Sequence, residues 1–251
     1  VLQETRVGAI AILTLDYPER RNALAIPMRA ALAAAFDRLE ADATMRCVVL
    51  TGGGGNFSAG GDISGMNVTD FAAGRERFRL THRLVRTMIE SRLPIISAVE
   101  GWAVGAGLAL ALCTDTVVAA SDSRFMAGFG GIGLVADFGL LHTLPKRIGE
   151  GRARQMLLHG DRVDATRAEA IGLIDRVVPP GTALETAMAM AENLALAAPL
   201  PIAMTKSYLA QGLADALEWE RNAQSALFLT ADHAEGKAAF LAKRPPSFTG
   251  R

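Results

Sequence analysis

Three glycine-bearing segments hold the residues of this chain best suited to chemistry. The first, Thr51 to Ile63, carries six glycines directly after a strand-like run, which frees the backbone for a tight turn or for close approach to a ligand. A plain flexible loop has the same composition. No Lys-Ser/Thr pair follows, which excludes a phosphate-cradling P-loop. Asn56-Phe57-Ser58-Ala59-Gly60 misses the Gly-x-Ser-x-Gly nucleophile elbow at its first position; with His82, His142, His159 and His233 elsewhere, a serine hydrolase is one rival reading. The second segment, Glu100 to Leu112, places Gly105, Ala106 and Gly107 where a strand passes into an Ala- and Leu-rich helix. The first N–H groups of a helix lack intrahelical partners, so amides there can be turned into a site. A buried helix packed through small residues is the plainer alternative. The third segment, Gly128 to Gly133, matches Gly-x-Gly-x-x-Gly, with Glu150 placed like a ribose-binding acid. A dinucleotide fingerprint opens its helix directly, however, and here Leu134-Val135-Ala136 intervene before a helical pattern from Asp137 to Arg147.

The elements that must position these segments follow from hydrophobic periodicity. Val7 to Leu15 and Arg46 to Thr51 are aliphatic runs ended by charges or glycines, as buried strands are. Between them Met28, Leu32, Phe36 and Leu39 fall at helical spacing within Pro27 to Asp42, with Pro27 suited to a first helical turn. Phe71 to Ser91 reads as a helix, and Pro94 to Val99 and Thr116 to Ala120 as strands, so the body is an α/β layer structure. From about Pro179 the pattern is helical alone: Ala183 to Ala198, Pro201 to Leu213, Ala216 to Thr230 and Ala234 to Lys243. The expected organisation is a core over residues 1–180 and a helical region over 181–251.

Composition narrows the function classes. A chain of 251 residues with 50% hydrophobic and 21% charged residues can bury a substantial core. Basic and acidic residues balance at 26 each, so no net field favours nucleic acid or an anionic membrane surface. Cys47 and Cys113 sit in apolar runs and read as reduced, buried thiols without disulfide or zinc spacing. The uncharged stretch Gly101 to Thr114 is too short and glycine-rich to span a bilayer. Val7 to Leu15 is followed by Asp16-Tyr17-Pro18-Glu19-Arg20-Arg21 instead of a signal cleavage site. A cytoplasmic location is expected.

Four segments in order resemble the enoyl-CoA hydratase/isomerase (crotonase) superfamily across nearly the whole chain. Pro18-Glu19-Arg20-Arg21-Asn22-Ala23-Leu24 is similar to that family's coenzyme-facing turn, and Phe57-Ser58-Ala59-Gly60-Gly61-Asp62-Ile63 to its first oxyanion loop. Gly101-Trp102-Ala103-Val104-Gly105-Ala106-Gly107 resembles the second oxyanion loop, and Phe240 to Phe248 the C-terminal ending. The resemblance implies a spiral of ββα units with a C-terminal helical region that mediates assembly as homotrimers or homohexamers. It implies an acyl-CoA thioester as substrate, with coenzyme A belonging to the substrate, and neither cofactor nor metal.

By the same resemblance the amides of Gly61 and Ala106 bind the thioester oxygen. Arg21, Ala23, Leu24, Ala59, Gly60, Asp62, Ile63 and Phe129 line the substrate and coenzyme path, and Phe240 and Lys243 reach the adenosine end. The physical logic stands independently: proton removal beside a thioester makes an enolate, and each preplaced donor can stabilise its oxygen by roughly 3 kcal/mol. Where hydratases of the family carry two water-activating glutamates, this chain has Ala109 and Phe129. Gly133-Leu134-Val135-Ala136-Asp137 instead resembles the Gly-Leu-Val-Pro-Asp segment of isomerase members, with Ala136 for the proline and Leu140 where a glycine is common. There the aspartate shuttles the proton. On position alone Asp137 also suits a helix N-cap. The likeness is to ring 1,2-epoxyphenylacetyl-CoA isomerases first and 3-enoyl-CoA isomerases next. An enoyl-CoA hydratase is the alternative activity, and a noncatalytic acyl-CoA binder the alternative of another class.

Overall fold

The computed structural model describes residues 1–251. Its strands are β1 (Leu2–Val7), β2 (Ile10–Leu15), β3 (Cys47–Gly52), β4 (Ile95–Val99), β5 (Trp102–Val104), β6 (Thr116–Ala120), β7 (Arg124–Met126), β8 (Val163–Asp164) and β9 (Arg176–Val178). The helices are α1 (Ile26–Ala41), α2 (Phe71–Ile89), α3 (Ala106–Leu112), α4 (Leu140–His159), α5 (Ala165–Ala170), α6 (Ala183–Leu196), α7 (Pro199–Leu209), α8 (Leu213–Leu227) and α9 (Ala231–Leu241). Six strands form one sheet in the order β1-β2-β3-β4-β6-β9, parallel except for the β1–β2 hairpin; β5, β7 and β8 form a second.

Successive turns of chain each place one strand in each sheet. β4 leads within a few residues to β5, and β6 to β7. β3 leads likewise to Ser58, which joins the second sheet through a parallel bridge to Ala103. A strand followed by a sharp corner and a short second strand generates a spiral, and the corners stack along one side of the molecule.

The aliphatic runs become buried strands because alternate side chains point to opposite faces. Val48 and Leu50 of β3 enter the main core with Leu13, Leu15, Leu32 and Phe36, whereas Cys47 and Val49 face the other side with Ile96 and Val118. Each such aliphatic side chain removed from water contributes about 1.5–3 kcal/mol. The second face is covered by α6 through Ala183, Ala187 and Ala191, a small-residue stripe at helical spacing that lets the helix lie close to the sheet. α8 packs along α2, and α9 over the 3-10 turn Gly130–Ile132. No single helix is long and apolar enough to cross a membrane.

Two expectations change, and the second sheet was not among them. The single strand expected over Val7 to Leu15 is a hairpin, because Gly8 takes φ 58° and Val7 pairs with Ile10. The helix expected from Asp137 starts at Leu140 and runs on to His159, interrupted at Gly149. The short strands of the second sheet, two or three residues long, fall below the length at which alternation shows in a sequence.

Candidate active site

The corners of the spiral bring the first two glycine segments side by side. Phe57 N–H donates to Glu100 O, Ser58 N–H to Trp102 O and Val104 N–H to Ser58 O, so residues 57–58 are stitched to 100–104 as a strand-like ladder. Gly60 continues that line at φ 98°, and a Cβ there would lie 2.6 Å from the Val104 carbonyl oxygen. Only glycine permits this approach. Gly105, at φ 53° and ψ −121°, then turns the chain into α3. The N–H groups of Gly61 and Ala106, which follow these two glycines, donate no hydrogen bond within the fold.

The preceding turn is locked from beneath. Asn22, fully buried, donates from Nδ2 to Gly53 O and Asn56 O at 2.8 Å each and accepts Tyr17 N–H on Oδ1. That clip holds Arg21 and Asn22 at positive φ, the conformation Asn tolerates better than most residues. Leu24 N–H donates to Gly60 O and Ala59 N–H to Arg21 O, which ties the Arg20–Leu24 turn to the glycine loop.

Behind these amides is a cavity of about 270 Å³ whose floor is Gly61, Ala106 and Phe129 and whose wall includes Ile63, Met66 and Phe240. An apolar cavity of about 150 Å³ takes benzene, so this volume suits a compact acyl group and its thioester. Of the residues lining it, only Arg29 and Asp137 carry polar side chains; the others are apolar or glycine.

Asp137 does not cap a helix: Gly139 holds the N-cap position of α4. Its Oδ2 accepts a 3.2 Å bond from Gln224 Nε2, and its buried Oδ1 has no partner within the fold. Burial, and next the nearby Glu220 carboxyl, push its pKa up from 3.8 to about 6, while Arg29 and the Gln224 bond pull in the other direction. A carboxylate held there is a stronger base than one in water.

Four residues of this site belong to no motif. Glu220 and Gln224 come from the buried face of α8, Arg29 from α1 and His82 from α2. Glu220 clamps the turn after Asp137, accepting Phe138 N–H at 3.0 Å and Gly139 N–H at 2.8 Å, both residues at positive φ. His82 Nε2 lies 2.7 Å from Glu220 Oε1. Gln224 also accepts Val135 N–H at 3.3 Å, so one helix face holds the 135–139 turn on both sides of the aspartate. Burial drives the Glu220 carboxyl above its usual range and keeps His82 neutral, lowered to about 4. The signal existed: Leu213, Leu217, Glu220 and Gln224 form one stripe at helical spacing, and polar residues on a core stripe call for partners.

The other expected residues divide. Ala59, Gly60, Gly61, Ile63, Ala106, Phe129, Asp137 and Phe240 all line the cavity. Ala23 and Leu24 are buried beneath the glycine loop, with Leu24 reaching it through its backbone, and Arg21 is exposed at the turn. Asp62 caps a 3-10 turn by accepting Ser64 N–H and does not line the cavity. Lys243 is exposed just beyond α9, and Ala109 is buried within α3. Ser58 is no nucleophile: it is fully buried and donates its hydroxyl to Asn22 O. Gly130 to Ile132 form a 3-10 turn, not the opening of a nucleotide-binding helix.

Two free amides facing one carboxylate across an apolar cavity, set at the corners of a two-sheet spiral, define the crotonase architecture, and the chain belongs to the enoyl-CoA hydratase/isomerase family, whose model matches residues 5–251. It is 37% identical to the 1,2-epoxyphenylacetyl-CoA isomerase of Escherichia coli over 100% of this chain and 98% of that one. It is 34% identical to the 2,3-dehydroadipyl-CoA hydratase of the same organism over 98% of each. A crystal structure of an enoyl-CoA hydratase from Mycobacterium avium subsp. paratuberculosis superposes with a TM-score of 0.90 at 30% identity, covering 99% of this chain and 98% of the other. The family is enzymatic, and its members include isomerases and hydratases.

Proposed function

We propose that this chain is an acyl-CoA thioester isomerase, working without metal or redox cofactor, in which Asp137 moves a proton and the amides of Gly61 and Ala106 hold the enolate oxygen. The observation that carries the reading is that Asp137 is the only acid lining the cavity. Hydration in this family's manner needs a second carboxylate to hold and activate water. Isomerisation needs one group that takes a proton from one carbon and returns it to another. Bound with its carbonyl oxygen between the two amides, the thioester has an acidified C–H beside the carbonyl; unpartnered Oδ1 of Asp137 accepts that proton, and the charge spreads to the oxygen. The Asp137 carboxylic acid then delivers the proton further along the acyl chain. Gln224 on Oδ2 keeps the other oxygen in place through both steps.

An incubation with a panel of 3-enoyl- and arylacetyl-CoA thioesters, read by mass spectrometry, separates the alternatives. Products of unchanged mass are expected, and a gain of one water would establish the hydratase instead. Free coenzyme A is expected to raise the melting temperature, and NAD is not, since only a ligand of the native state stabilises it. Protection by neither thioester nor coenzyme A would remove the acyl-CoA assignment altogether.

The titration of Asp137 sets the pH profile. The base must be ionised, and its pKa lies at about 6. Accordingly kcat/KM should rise about tenfold per pH unit up to 6 and level off above it. A limb centred near 4 would show that burial does not govern this carboxylate. Assembly as a trimer or hexamer is supported by the exposed apolar residues Leu200, Met204 and Tyr208 at helical spacing on α7, which no part of the chain covers.

A further inference from the structure

We propose that Arg29 is a specificity-determining residue that binds a neutral oxygen carried by the acyl group, close to the carbons between which the proton moves. The inference rests on the isomerase reading of the site and names the class of acyl group it takes. Arg29 projects from the buried face of α1 and is 2% exposed. Its Nε donates to Leu24 O at 2.8 Å and its Nη1 to Thr81 Oγ1 at 2.7 Å, which fixes the plane of the guanidinium. Nη2 donates to nothing within the fold.

That free nitrogen borders the cavity at a defined place. It lies 3.8 Å from where a Cβ on Gly61 would stand, and the guanidinium carbon lies 5.2 Å from the centre of the Phe138 ring. Arg29 therefore lies between the amide that takes the thioester oxygen and the segment that carries the base. An acyl chain running from Gly61 toward Asp137 lays its intervening carbons across Nη2. A hydrocarbon there would strip water from two N–H donors and return nothing, whereas a hydroxyl, ether or epoxide oxygen would accept from them. No other lining side chain apart from Asp137 is polar, so no second group competes for that oxygen. The oxygen is neutral because the carboxyl of Asp137 already lines the same cavity as Arg29. A substrate carboxylate would place a second acid beside Asp137 in that cavity.

The test uses three unreactive thioether analogues of coenzyme A bearing phenylacetyl, 2-hydroxyphenylacetyl and 2-carboxyphenylacetyl groups, with dissociation constants measured by calorimetry on the full chain. The unaltered protein should bind the hydroxyl analogue at least tenfold more tightly than the unsubstituted one. Arg29→Met is expected to weaken binding of the hydroxyl analogue and to bring the hydroxyl and unsubstituted analogues within about twofold of each other; Arg29→Lys should restore part of the difference. A merely structural arginine would leave that ratio unmoved. Should Arg29→Met not fold, the ratio in the unaltered protein decides. Equal binding of the hydroxyl and unsubstituted analogues would overturn the inference and leave the isomerase reading intact. Preference for the carboxylate would overturn the assignment of a neutral oxygen. Binding of none of them would bring down the functional reading together with the inference.

Discussion

Replacing Asp137 by Asn is expected to lower turnover at pH 8 a hundredfold or more, the usual scale for loss of a general base, while making the protein more stable. The Asn side chain keeps an oxygen to accept the Gln224 bond and fills the same volume, so the turn over residues 135–139 has no reason to move. The stability gain follows from the carboxyl's environment. Its folded-state pKa of about 6 lies above the ordinary 3.8, so the native state binds the proton more tightly than the unfolded chain does. The stability associated with that proton is fully present below about pH 4 and is lost as pH rises through 6, at a cost of up to about 3 kcal/mol. The Asn variant has no proton to lose. Denaturant titrations should therefore give the variant the higher midpoint at pH 8, with the gap closing toward pH 4. Full activity in Asp137→Asn, or a lower midpoint at pH 8, would mean that Asp137 is a structural residue and the mechanism is wrong.

The second large effect is expected from one methyl group at Gly60. An alanine there combines a φ of 98° with a Cβ 2.6 Å from the Val104 carbonyl oxygen, so the loop must back away from β5. Strain of this kind costs about 1–3 kcal/mol. The greater loss is in catalysis, because the displaced peptide is the one that presents Gly61 N–H. Loss of one oxyanion donor lowers kcat by about a hundredfold to a thousandfold. Gly8→Ala supplies the comparison: Gly8 also has positive φ, at 58°, but sits in the β1–β2 hairpin with open space around it. It should show the strain of positive φ without the clash, and undiminished turnover. If Gly60→Ala and Gly8→Ala lose the same small amount of activity, Gly61 N–H does not serve the reaction.

Much of this site could be read along the chain because its parts are local. The glycines at 60 and 107 mark places where backbone must meet backbone, and a Cβ on Gly107 would lie 2.5 Å from Ser58 O. The continuous aliphatic runs of β3, β4 and β6 announced themselves for the same reason, since strands buried on both faces need no alternation. Asp137 was recognisable only by the likeness of its segment to isomerase members; its position alone suggested a cap, and Gly139 occupies that place instead. The partners of Arg29 and Glu220 were illegible for a different reason. Each is an ordinary surface residue type whose partners lie 52 and 82 positions away, at Thr81 and Phe138. No spacing rule reaches that far. What a sequence does offer is the mismatch itself, as in Arg29, Ala33 and Phe36 on one buried face of α1.

The grip of α8 on the 135–139 turn also fixes when the enzyme comes into being. The sheet through β6 and the two amide-bearing loops are complete by residue 120, and the turn with its aspartate by residue 139, yet the side chains that hold that turn emerge only at positions 220 and 224. Closing a loop of that length carries an entropic cost that the helix face must overcome in one docking step. A chain that stops short of α8 therefore has both amide-bearing loops but no side chain to orient the proposed base. On the mechanism proposed above, proton transfer waits on the docking of α8.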